Sequence, residues 1–220
     1  ESFPVRVSQD LQMLEAGEKV ALEIPAAPVI EGRHATIIEK ETPGVAVSFG
    51  FPIDLRRGDP DYFPLYVGNH ILGGGGLVSR LFKEVREDRG LSYSVNSYFS
   101  PMAQDGPYIF SLQTRNDQTG EALQVLRDTL RDFHDKGPTD DELVAAKKNI
   151  TGGFPLRIDS NSKIVEYLAM IGFYDLPLDY LETFNERVMA VTREQIRDAY
   201  QRRVPLRQMA TVIVGGEAAP

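Results

Sequence analysis

Between Tyr62 and Leu72 the spacing makes a helix, and apolar side chains cover almost every face of it: Tyr62, Phe63, Leu65, Tyr66, Val67, Ile71 and Leu72. A helix at a protein surface keeps a polar stripe, whereas one that is apolar all round has to be enclosed. The chain must therefore supply other layers to cover this segment. Its 220 residues are enough for one good-sized domain, or for two small ones sharing a layer. The stretch Asp59-Pro-Asp61 just before it offers a carboxylate cap followed by proline, the usual helix start.

The covering elements are legible on both sides. His34 to Lys40 and Val45 to Ile53 read as strands, with Thr42-Pro-Gly44 as the turn between them. Ser79 caps a second helix that Gly90 ends by accepting a positive φ. Ser92 to Ser100 and Pro107 to Thr114 are expected to pair antiparallel around Gln104-Asp-Gly106. Leu123, Leu126, Leu130 and Phe133 mark one helix face, stopped by Gly137-Pro138. Thr139-Asp-Asp-Glu142 and Thr192-Arg-Glu-Gln195 are capping boxes. Ile164, Leu168 and Ile171, then Leu181, Phe184 and Val188, mark two more helices, and Met209 to Val214 a last strand.

This pattern predicts an α+β, two-layer domain with a mostly antiparallel sheet. The strands alternate only in part, so helices are expected mainly on one sheet face. Residues 1–32, with two prolines in Leu22-Glu-Ile-Pro-Ala-Ala-Pro-Val29, read as a lead-in segment. The domain is expected over 33–216 and a frayed tail over 217–220. Glu1 in place of Met suits a processed chain or an excised piece.

Composition narrows the function classes. The 24 basic against 32 acidic residues give −8, which argues against nucleic acid as a main partner. No stretch approaches the roughly 18 apolar residues of a membrane span. With no cysteine there are no disulfides, thiolate nucleophiles or Cys-based zinc sites. A chain without thiols is at home in cytoplasm or periplasm; the compartment stays open, with the bacterial periplasm ranked first.

The three histidines, His34, His70 and His134, never stand within a helical turn of one another. Zinc takes ligands about 2 Å away, which on a single helix needs two of them on one face. No zinc site is expected in this chain, and His70 reads as a buried, hydrogen-bonded histidine. The run Gly73 to Gly76 lacks the Gly-Lys-Ser/Thr of a phosphate loop. Four glycines suit a backbone that bends sharply, as a tight turn or a functional one. Taken blind, Arg86 is a helix-end cation favourable to the helix dipole, and Tyr93 half-buried packing.

Context gives these two residues another reading. Ser79-Arg-Leu-Phe82, Arg86-Glu87 and Gly90-Leu-Ser-Tyr-Ser-Val95 stand in order after Leu72-Gly-Gly-Gly-Gly76. Thr139-Asp-Asp-Glu-Leu143, Ala145-Ala-Lys147, Leu176-Pro177 and Val191-Thr192 follow. Over about residues 30 to 215 this resembles the C-terminal, zinc-free half of pitrilysin-type (insulinase-like) zinc peptidases, processing peptidases among them. The resemblance implies the processing-peptidase-like metallohydrolase fold shared with LuxS and a bacterial origin. It implies that Arg86 and Tyr93 are lent to a zinc site on a homologous partner half, in the same chain or a separate subunit. Zinc is expected there and no cofactor here, so the isolated chain should be inactive.

The implied substrate is an unfolded peptide. Gly74, Gly75 and Gly76 lie where the family approaches its substrate chamber, which makes them weaker binding candidates. The long glycine-rich loop of some members is missing. Arg89 stands four residues from Tyr93 against the family's seven and reads as a surface charge. Two other readings stay open: an inactive scaffold subunit of the same fold, and a module that captures extended peptides on a sheet edge.

Overall fold

The structure, a computed structural model, describes residues 24–215 and, before them, Arg6, Gln9, Gln12, Met13 and Gly17. Most of the expected lead-in 1–32 and all of the expected tail 217–220 lie outside the described residues.

One five-stranded sheet carries the described chain, in the order β1-β5-β2-β4-β3. Its strands are β1 (Arg33–Ile38), β2 (Gly44–Ile53), β3 (Ser94–Phe99), β4 (Gly106–Arg115) and β5 (Met209–Val214). The helices are α1 (Tyr62–Asn69), α2 (Thr119–Lys136), α3 (Asp140–Gly153), α4 (Asn161–Phe173), α5 (Tyr180–Ala190) and α6 (Arg193–Arg203). The architecture is the expected α+β one. Along β2, Val45, Val47, Phe49, Phe51 and Ile53 are buried, alternating with small side chains such as Ala46, Ser48 and Gly50 on the other face. Helices cover the first face, while Ala46 and Ser48 on the second are exposed among the described residues.

β3 and β4 pair antiparallel as the sequence indicates, Ser94 opposite Gln113 and Phe99 opposite Tyr108. β1 and β2, however, do not pair across their turn. β5 lies between them, parallel to β1 and antiparallel to β2. A turn signal fixes where the chain reverses, not which strand fills the place beside it.

Helix α1 is enclosed, with Leu65 and Val67 at 0% exposure. It ends sooner than its apolar run, at Asn69, and widens over His70–Gly74 so that Gly75 N–H donates to the His70 carbonyl. Asp61 does not cap the helix. Its buried carboxylate instead accepts a two-pronged pair from Arg202 (both 2.7 Å) and a third bond from Arg203 (2.8 Å), tying α1 to α6. Asp59 receives the Asp61 N–H.

Both capping boxes form, and Gly137 ends α2 at φ 71°. Among the fully buried side chains, the Tyr108 and Tyr200 hydroxyls share a 2.8 Å hydrogen bond. Helix α4 forms where the spacing of Ile164, Leu168 and Ile171 marks it. Of its apolar face only Ile171 is buried, while Val165 and Leu168 are 62% and 57% exposed. No helix among the described residues is long and apolar enough to cross a membrane.

Candidate functional site

The segment between α1 and β3 is built to hold one exposed aromatic ring. After a short turn over Gly76–Val78, the Ser79 hydroxyl donates to the Gly76 carbonyl at 2.7 Å and lies 3.4 Å from Phe82 N–H. A wide helical segment, Phe82–Glu87, follows. Leu81 and Val85 anchor it in the core at 0% exposure, which turns Arg86 outward. Gly90 at φ 62° closes the end, with Gly90 N–H on the Arg86 carbonyl and Leu91 N–H on the Val85 carbonyl. That φ costs a side-chain-bearing residue far more than it costs glycine.

The chain is then pinned again. The Ser92 hydroxyl lies within hydrogen-bond distance of the Ser94 and Gln113 carbonyls, and Thr114 Oγ1 donates to the Leu91 carbonyl. Tyr93 sits between these ties, 80% exposed.

Arg86 and Tyr93 meet. The Arg86 guanidinium lies over two aromatic rings, 4.6 Å from the centre of Tyr93 and 4.7 Å from that of Phe82. Stacking of this kind orients a guanidinium without using its N–H groups, which project in its plane. Among the described residues no carboxylate lies within ion-pair distance of it. Arg89, the rejected alternative, is held by Glu84 through both its carboxylate and its carbonyl, each at 2.7 Å. Tyr93 also borders a cavity of about 530 Å³ with Pro43, Gly44, Gln113 and Arg115. Arg86 is not among its walls.

The glycine run has packing reasons of its own. A Cβ on Gly73 would come within 2.4 Å of the Ser97 hydroxyl in β3, and Gly76 adopts φ 63°. Side chains on Gly74 and Gly75 would meet Asn69 and the His70 carbonyl, each at 2.6 Å. The surface that results presents Leu77 and Val78, 69% and 70% exposed.

The sequence reads His70 as a buried, hydrogen-bonded histidine; it is half-buried, and its Nε2 has no hydrogen-bond partner among the described residues. Burial, and then the nearby Arg157, push its pKa below the ordinary histidine value, against a contact with Asn149 that raises it. The other histidines are spent locally, His34 on the Glu31 carbonyl and His134 on Asp135. Among the described residues no group of three His, Cys, Asp or Glu side chains is placed to hold a metal ion.

One grouping escaped sequence reasoning. Arg57, Arg157 and Lys163 line a cavity of about 550 Å³ with Tyr62, Tyr66 and Tyr167. Arg57 comes from the approach to α1 and the others from the turn after α3 and from α4. No local motif links positions so far apart. The one signal available was the dibasic Arg56-Arg57 directly before a helix with no polar face.

Comparison with known proteins places these features in a family. Residues 9–150 match the family described as the Peptidase M16 inactive domain. The chain is 31% identical over 205 residues to an uncharacterized zinc protease of Streptomyces coelicolor, covering 89% of this chain and 44% of that one. It is 27% identical over 214 residues to a Helicobacter pylori protein named Non-peptidase homolog YmxG, covering 96% and 48%. The crystal structure of a peptidase M16 inactive domain from Pseudomonas fluorescens superposes with a TM-score of 0.89 at 34% identity, covering 98% of this chain and 50% of that one. The chain thus spans about half the length of the curated relatives it matches. With its fold and the matched residues in agreement, the chain belongs to the Peptidase M16 family as an inactive domain of that family.

Proposed function

We propose that this domain binds substrate peptide beside a zinc site on a homologous partner half, and that Arg86 and Tyr93 stabilise the transition state there. One observation carries the reading: a guanidinium with no carboxylate partner among the described residues, stacked on a tyrosine left 80% exposed. Peptide hydrolysis develops negative charge on the scissile carbonyl oxygen. A permanently charged guanidinium and a phenolic O–H are both donors to such an oxygen. The core-anchored helical segment and the tied strand start hold the two donors in place, so little reorganisation is needed when charge appears. A metal would be held by the partner half, since the described residues here offer no ligand set.

The exposed apolar face of α4 supports a partner, because contiguous apolar surface marks a place where something packs. Gly74 to Gly76 would shape the floor of the peptide path as a weaker contribution. A bacterial, processing-peptidase-like setting is part of the same proposal.

The test is reconstitution with a zinc-bearing half and a quenched peptide. Arg86→Ala and Tyr93→Phe should each lower turnover on the order of 100–1,000-fold, by analogy with loss of one oxyanion donor. Full turnover in both variants would return the pair to packing duty. The second reading, a scaffold subunit with no catalytic part, draws support from the name of the Helicobacter pylori relative. It predicts no activity in any reconstitution, and assembly that is indifferent to both substitutions.

A further inference from the structure

We infer that the cavity between α4 and the α1–α5 face captures the C-terminal carboxylate of a peptide together with its apolar last side chain. This rests on the reading above that the domain works on peptides, and it adds a second place where it grips them.

Charge is the first argument. The chain as a whole carries −8, yet this cavity gathers Arg57, Arg157 and Lys163 against a single lining carboxylate, Glu166. Lys163 is answered by Asp159 at 2.8 Å. Among the described residues no carboxylate lies within ion-pair distance of either arginine, so two guanidiniums facing one space are left unneutralised.

Their manner of attachment is the second argument. Arg157 Nη1 donates to the Tyr66 hydroxyl at 2.7 Å, and Arg57 Nη1 approaches the Tyr62 hydroxyl at 3.4 Å. The Arg57 guanidinium also lies 5.0 Å over the Tyr174 ring. A phenol oxygen that accepts from a guanidinium keeps its own proton free to donate. Tyr66 therefore extends the reach of Arg157 with a neutral donor. Arg57 Nε has no hydrogen-bond partner among the described residues, so the protein leaves part of this guanidinium unsatisfied.

Size and lining choose among anions. About 550 Å³ is far more than a lone carboxylate fills, and Leu156, Met170 and Phe184 supply apolar wall. At a chain terminus the carboxylate and the last side chain share one Cα, so charge and apolar bulk arrive together. An acidic side chain brings its charge on a short stem with no apolar companion. Capture of a free terminus by converging donors is a recurring mode of peptide recognition.

The experiment uses the full 220-residue chain and fluorescence anisotropy with an amino-terminally labelled peptide ending in leucine. Three forms are compared: the free acid, the C-terminal amide, and the amide with a glutamate next to last. The free acid should bind about tenfold or more tightly than the plain amide, the scale of a lost charge-assisted contact. Arg157→Gln and Arg57→Gln should weaken the acid toward the amide while leaving the amide unchanged. Arg131→Gln, which removes the same charge from an exposed pair with Asp128, should alter neither.

Equal binding of acid and amide overturns the inference, as does acid binding that ignores Arg157→Gln. Recovery of binding by the glutamate amide assigns the cavity to acidic side chains and overturns the terminus. Should Arg157→Gln not fold, Tyr66→Phe removes a single oxygen and must weaken the acid selectively. No hydrolysis enters this assay, so failure here leaves Arg86 and Tyr93 standing, and failure of their test leaves this binding result intact.

Discussion

Helices α2 and α4 carry the same kind of apolar stripe and meet opposite fates. In α2, Leu123, Leu126, Leu130 and Phe133 are all buried, packed toward α6, β4 and the Phe82–Glu87 segment. In α4, Ile164, Val165 and Leu168 face outward and Lys163, Glu166, Tyr167 and Met170 line a cavity, so that Ile171 alone is fully drawn into the core. Periodicity reports that a helix has a face to bury. What buries it depends on how much of the assembly is at hand.

The sharpest way to break this comparison is a matched pair of truncations. Leu126→Ala should cost about 2–5 kcal/mol in urea unfolding, since the 0%-exposed side chain leaves a cavity. Leu168→Ala should cost almost nothing in the same assay. Comparable losses would mean that α4 is covered within this chain alone.

A smaller effect is expected where α6 and β4 meet. Tyr200→Phe removes one hydroxyl of the buried Tyr108–Tyr200 pair, and Asn69 Oδ1, 3.1 Å away, still accepts from Tyr108. The loss should be about 1 kcal/mol, the net value of one hydrogen bond.

Acid titration tests the charged tie between α1 and α6. Arg202 above all, and then Arg203, hold the Asp61 carboxyl below the usual carboxylate range, against burial that raises it. The unfolded chain therefore binds this proton first, at about pH 3.9. The stabilisation is present above that pH and lost as pH falls through the lower folded value. Asp61→Asn should flatten this part of the acid limb. An unchanged limb would show the tie to be idle.

The smallest expected change is the most telling for α4. Val165→Lys should leave the isolated chain within about 0.5 kcal/mol of the parent, as surface substitutions do. The same variant should fail to assemble with a zinc-bearing half in analytical ultracentrifugation. Normal assembly would remove α4 from the interface.

Much of the fold was readable because its signals are local. Gly137 and Gly90 end their helices, and Thr139 and Thr192 start theirs, through contacts within a few residues. The approach of Arg86 to Tyr93 follows from the same kind of short-range geometry, one helix end and one glycine. What could not be read depends on partners distant in sequence. The partners of Asp61, Arg202 and Arg203, lie 141 and 142 residues further on. The cation cavity joins the start of α1 to α4, and β5 enters between β1 and β2 without any mark in their turn.

The place of β5 has a consequence for how the molecule is made. The strand synthesised last among those described fills the second place in the sheet and, among the described residues, is the one neighbour of β1. Until Met209–Val214 has left the ribosome, the first strand has no ladder to join and one side of β2 stays unpaired. Pairing of such distant segments is slow, because a long loop must close before any contact rewards it. A nascent chain short of β5 therefore holds a β2-β4-β3 block beside an open slot, and the slot is a template that any stray strand can occupy.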